Sequence, residues 1–166
     1  NLGLIEFTKG RFTEAARAYE TAVGLDGGDY RAWRGLALSY FWAPGEKPKA
    51  QEAFSRAAAL GEKQLAVNPK AAALLADLGD CYAHTGDAGR ARELLKRSLA
   101  LAPDDLEVLR TAASAYEQLG ERELALRFIR RALESGYPRA LVEADPGLVA
   151  LRSDPRYPQL STKEAS

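Results

Sequence analysis

The 166-residue chain predicts an all-α fold: a solenoid of helix–turn–helix repeats closed by a C-terminal helical cap. Three observations predict it. The sequence resembles itself: "LLADLGDCYAHTGDAGRARELLKRSLALAP" (74–103) aligns with "VLRTAASAYEQLGERELALRFIRRALESGYP" (108–138). In that alignment Tyr82 falls on Tyr116, Gly86 on Gly120 and Ala91 on Ala125, each 34 residues apart, a period typical of stacked supersecondary units. Each unit also breaks at a glycine between two stretches whose small and apolar residues recur at helical spacing. Pro69 and Pro103 then end the second stretches, because proline cannot continue a helix.

Taken in order, the first unit opens on "NLGLIEF", inside an apolar pattern with no capping residue ahead of it, in a chain without methionine. This reads as a piece of a longer protein. Gly10, Ala15, Tyr19 and Ala22 of its second helix match Gly45, Ala50, Phe54 and Ala57 of the next unit, 35 residues on. First helices carry a bulky residue, a Leu-small pair and a tyrosine: Trp33, Leu36-Ala37 and Tyr40, then Leu75, Leu78-Gly79 and Tyr82. Small residues at Ala37, Gly79 and Ala91 let paired helices approach, Trp33 belongs to the core, and Tyr40, Tyr82 and Tyr116 fill between units.

One unit is longer. Tyr40 and Tyr82 lie 42 residues apart, eight more than the period. One extra residue falls in the "FWAPGE" turn and seven lengthen the second helix, predicted over 48–67, by about two turns. Gly61 costs that helix up to ~1 kcal/mol against alanine. The helix is nonetheless expected to run through, because Phe54, Ala57, Ala58 and Leu65 keep one apolar stripe. The array spans 1–138. Beyond it, Asp145-Pro146 and Asp154-Pro155 predict short capping helices over 139–160, each started by an N-cap and a first-turn proline. Residues 161–166 read as a disordered tail.

Composition excludes several function classes. With 23 basic and 23 acidic side chains, the chain lacks the basic excess that tracks phosphates, so nucleic acid is not an expected partner. No apolar run approaches the roughly 18 residues of a membrane span. A single cysteine forms no internal disulfide, which fits the cytoplasm and leaves the periplasm open. Cys81 and His84, the only residues of their types, sit at i and i+3, but two ligands do not close a zinc site. They also lack the orienting group of a nucleophile–base pair. The expectation is a buried Cys81, His84 in a groove or at its rim, no cofactor, no metal and no enzyme.

Together, the period, the Trp-Leu-Gly-Tyr pattern and the glycine turns resemble the tetratricopeptide (TPR) repeat over residues 1 to 138. That resemblance implies a right-handed superhelix whose first helices line a concave, protein-binding face. Carried over, its groove positions are Leu4, Phe7 and Thr8; Arg31, Arg34, Leu38, Phe41 and Trp42; Asp77, Asp80, Ala83 and His84; and Glu107, Arg110, Ser114, Glu117 and Gln118. Phe41 and Trp42 are either partner anchors or packing between repeats and under the long helix. Asp80 and Arg110 are expected to pair with each other. The carboxylate clamp of some TPR cochaperones is absent, since Leu4, Gly35, Ala76, Asp80 and Thr111 hold its places.

The C-terminal block, the "WAPGE" turn and the "LAVNPK" junction also resemble TPR regions that follow catalytic or DNA-binding domains in bacterial signalling proteins. Eukaryotic-like serine/threonine kinases and adenylate cyclases are the notable cases, although no kinase motif occurs in these residues. This implies a regulatory module that binds a peptide or partner surface. The alternative is self-association, a scaffold element of an envelope or assembly complex, through an uncovered first repeat bearing Leu2, Leu4, Ile5 and Phe7.

Overall fold

Four helical hairpins follow one another, and a short cap covers the last. The computed structural model describes residues 1–157, so the predicted tail and the last three residues of the predicted cap lie outside it. The hairpins are α1 (Leu2–Thr8) with α2 (Phe12–Leu25) and α3 (Tyr30–Trp42) with α4 (Lys47–Val67). They continue as α5 (Ala72–Thr85) with α6 (Ala88–Leu101) and α7 (Leu106–Gln118) with α8 (Arg122–Glu134). The cap comprises α9 (Arg139–Ala144), a 3-10 turn (Pro146–Leu148) and α10 (Val149–Arg152). Among the described residues there is no strand.

Local chemistry sets the helix ends. Gly10, Gly45, Gly86 and Gly120 join the helices of successive hairpins at φ values between 73° and 89°, a region that only glycine enters without steric cost. Asp29, Asp87 and Asp105 cap α3, α6 and α7 by accepting the N–H groups of Arg31, Arg90 and Val108. The opening of the chain differs from the sequence reading: Asn1 is itself a cap, its Oδ1 accepting from Leu4 N–H at 3.4 Å. A second difference lies in the cap. Asp145 does start a helical turn, accepting from Gly147 N–H at 2.9 Å. Asp154 instead closes a non-helical turn on Arg156 N–H at 3.0 Å.

The long helix α4 is 21 residues and unbroken at Gly61. A Cβ there would lie 2.8 Å from Leu78 Cδ2, so the glycine permits close approach to α5 instead of ending the helix. Two apolar clusters meet at Tyr82. One spans α2 to α6, and the other joins α7 and α8 to Val142, Leu148, Leu151 and Tyr157 of the cap. That second cluster is how the cap keeps the last hairpin's face from water.

Trp33 packs against the first cluster, as expected, but from its edge. It is half-buried, and its indole N–H donates to the Gly27 carbonyl at 3.0 Å, tying the ring to the preceding loop. Tyr40 and Tyr82 reach back to the preceding second helix in the same way. Their hydroxyls donate to Glu20 at 2.6 Å and Glu62 at 3.1 Å, one register apart. Tyr116 stacks on Phe128 within its own hairpin, with ring centroids 5.6 Å apart.

Candidate partner-binding groove

The first helices α1, α3, α5 and α7 line one cleft of about 550 Å³. Helix α1 contributes Leu4, Phe7 and Thr8, and α3 contributes Arg31, Arg34, Leu38 and Trp42. Asp77, Asp80 and His84 come from α5, and Glu107, Arg110 and Ser114 from α7. The cap closes the far end with Leu141, Ala144, Asp145 and Gly147. A smaller cavity of about 370 Å³ adjoins it through the shared Trp42, His84, Ser114 and Gly147, and adds Glu117, Gln118 and Val149. The cleft thus gathers Phe7, Arg31, Arg34, Leu38, Trp42, Asp77, Asp80, His84 and Arg110, while Glu117 lines the neighbouring cavity.

Phe41 lies elsewhere. Its ring turns inward, edge-on to Phe54 at 6.4 Å and to His84 at 4.8 Å, with Lys47 over its other face at 4.5 Å. Of the two readings left open for the Phe41-Trp42 pair, packing describes Phe41, whereas Trp42 meets the Phe41 ring edge-on at 5.0 Å and also lines the cleft. Adjacent helical residues point about 100° apart, so they need not share a face.

The floor between α3 and α5 is ionic. The backbones of these helices hardly approach, in contrast to α5 and α7, and long side chains bridge them. Arg34 reaches Asp80 Oδ2 at 2.5 Å and Asp77 Oδ1 at 3.3 Å, and Tyr30 Oη donates to Asp77 Oδ2 at 3.2 Å. Asp80 is fully buried. Burial alone would raise its carboxyl pKa, but the Arg34 guanidinium and the His84 imidazole outweigh it and hold the group well below the usual carboxylate range.

The His84 side chain is only 3% exposed, so it enters the cleft as part of its wall. Its ring stacks on Phe54 at 4.5 Å. Its Nδ1 donates to the Asp80 carbonyl at 2.9 Å and sits 3.4 Å from the Asp80 carboxylate. Both neighbours accept, so the proton belongs on Nδ1.

Asp80 and Arg110 do not pair. Arg110 reaches forward to Asp145 Oδ2 at 2.9 Å and along its own helix to Glu107 Oε2 at 3.1 Å. The reason is register. Arg34 and Arg110 occupy the same repeat position, and each bridges to the acid one place further on in the following unit, Asp77 or Asp145. The cap therefore supplies at Asp145 what a further repeat would supply. Glu117 accepts from Arg122 Nε at 2.8 Å.

Sequence reasoning missed Tyr19, Tyr137 and the cap residues that line the cleft. Tyr19 sits between two glycines: a Cβ at Gly3 or Gly35 would lie 2.6 Å or 2.4 Å from its ring. The spacing of Asp77, Thr111 and Asp145, 34 residues at each step, was the available signal for the cap. Burial pushes the Cys81 thiol up, away from the reactive thiolate. Among the described residues no group of three or more His, Cys, Asp or Glu side chains could hold a metal ion. Among them, too, no helix is long and apolar enough to cross a membrane.

Three tetratricopeptide repeat family models match residues 1–29, 29–104 and 84–144. The structure resembles that of a thermophilic TPR protein of Thermus thermophilus at 23% identity, over 89% of this chain and 78% of that one, with a TM-score of 0.55. Two structures of MamA align at lower scores. One is 22% identical over 84% of this chain and 97% of its own, with a TM-score of 0.41. The other is 25% identical over 81% and 72%, with a TM-score of 0.44. No curated protein matches the sequence.

Proposed function

The chain belongs to the tetratricopeptide repeat family, whose repeats form protein–protein interaction modules, and we propose that this one binds a partner segment in its concave cleft without catalysing a reaction. One observation carries the proposal. Leu4, Phe7, Leu38 and Trp42 present apolar surface inside a concave site of about 550 Å³. Exposed apolar groups in a concavity mark partner or ligand contact. The rigid first helices would hold these groups in place before binding, so little ordering entropy opposes association. A regulatory role within a larger cytoplasmic signalling protein is part of this reading.

The test compares capture by the wild-type chain with capture by Leu4→Asp and Trp42→Ala, with thermal unfolding as a control. A captured protein that both folded variants lose supports the cleft, and one that they retain refutes it. Arg34 is unsuitable for such a test, because its guanidinium holds α3 to α5.

A specific observation also favours a second reading, self-association. Leu2 and Ile5 are 63% and 48% exposed, yet Leu36, Leu78 and Ala112, and Ser39, Cys81 and Ala115, which hold their repeat positions in later units, are all buried. Light scattering on the wild type and on Leu2→Gln with Ile5→Gln tests it. A dimer that the double variant dissolves supports association through this face, whereas a monomeric wild type rejects it.

A further inference from the structure

The charges of the cleft floor are already matched from within. Arg34 faces Asp77 and Asp80, and Arg110 faces Asp145 and Glu107, all within 3.3 Å. Arg31, the remaining arginine of the lining, lies over the Tyr30 ring at 5.3 Å and is exposed at the mouth, where water and salt screen it. The acids Asp77, Asp80, Glu107 and Asp145 stand against Arg31, Arg34 and Arg110, within one charge of neutrality. An incoming carboxylate or ammonium group would shed its hydration on this floor and find the buried counter-charges already paired, although Arg34 Nε and Asp80 Oδ1 keep no hydrogen-bond partner.

Apolar seats flank the floor. Leu4, Phe7 and Leu38 form one beside α1. Trp42, Pro146 and Val149 form the other, where the adjoining cavity meets the cap. Leu4 and Val149 are about half exposed.

From this arrangement we propose that the cleft selects an uncharged segment of a partner protein, which inserts aliphatic or aromatic side chains at the two seats and carries no ionisable group across the floor. The inference rests on the cleft reading above and adds the chemistry of its occupant. The floor then acts against charged competitors, because specificity is a difference of affinities and unpaired buried charge is one way to create it.

A random-peptide display library selected on the immobilised 166-residue chain tests the proposal. The expected winners are rich in Leu, Ile, Phe, Tyr and Trp and poor in Asp, Glu, Lys and Arg. The affinity of a synthesised winner should change less than about twofold between low and high salt, since screening acts on charge. It should fall on the order of tenfold or more in Leu4→Asp and in Val149→Asp, both surface changes whose folding is checked by circular dichroism. If the winners are acidic or basic and salt-sensitive, yet lost in the same variants, the cleft stands and the uncharged occupant is overturned. If winners bind the variants as well as the wild type, or none emerge, the cleft reading falls and the inference falls with it.

Discussion

Asp80 is where the largest single-residue effect is expected. Its carboxylate is buried between Arg34 and His84, and its native pKa lies below the ordinary value of about 3.9. A depressed native pKa gives stability that is fully present above about pH 4 and lost as pH falls through the still lower native value. Asp80→Asn should cost about 3 kcal/mol at neutral pH, the low end for breaking a buried pair, because Arg34 keeps Asp77. Urea unfolding of both proteins should show that gap narrowing below about pH 4. A gap independent of pH would remove the role assigned to the carboxylate. Cys81 gives a second test at this scale. Buried, with its pKa raised, it should resist a thiol reagent such as DTNB in the native protein and react only as fast as the chain unfolds.

At the scale of the helix, glycine positions decide how closely neighbours pack. Gly35 lies inside α3, where alanine would ordinarily gain about 1 kcal/mol of helix propensity. A Cβ there would meet three Tyr19 ring atoms within 2.8 Å, and the ring is buried, so making room means shifting packed groups. Gly35→Ala should therefore destabilise by about 1–3 kcal/mol, measured by denaturant midpoint. An increase in stability would show that α1, α2 and α3 separate more easily than this packing implies. Gly61 illustrates how much of an element the sequence carried. The apolar stripe from Phe54 to Leu65 was legible and specified a helix, whereas the reason for a glycine within it was not. That reason is Leu78, a residue of the next helix that only folding brings near.

For the whole molecule, one repeated bridge joins array and cap. Arg34–Asp77 ties the second hairpin to the third, and Arg110–Asp145 ties the fourth hairpin to the cap at the same repeat position. Arg110→Ala should raise amide hydrogen exchange over α9 and α10 while leaving α2 to α5 at the wild-type rate, because each unit of a solenoid depends mainly on its neighbours. A change spread evenly over the chain would argue that the array unfolds as one block.

The sequence by itself determined the repeat and its helical hairpins, because helix periodicity and glycine turns are local properties. It also argued against a metal or thiol centre at Cys81 and His84, since two ligands are too few whatever their geometry. Only the tertiary structure decided which groove candidates face the cleft and which charges meet. Phe41 turned to Phe54, the His84 side chain became part of the cleft wall, and Asp80 took Arg34 while Arg110 took Asp145. Those outcomes depend on the spacing and rotation of one hairpin against the next, which are set where side chains from distant stretches pack together, and a repeat period does not encode them.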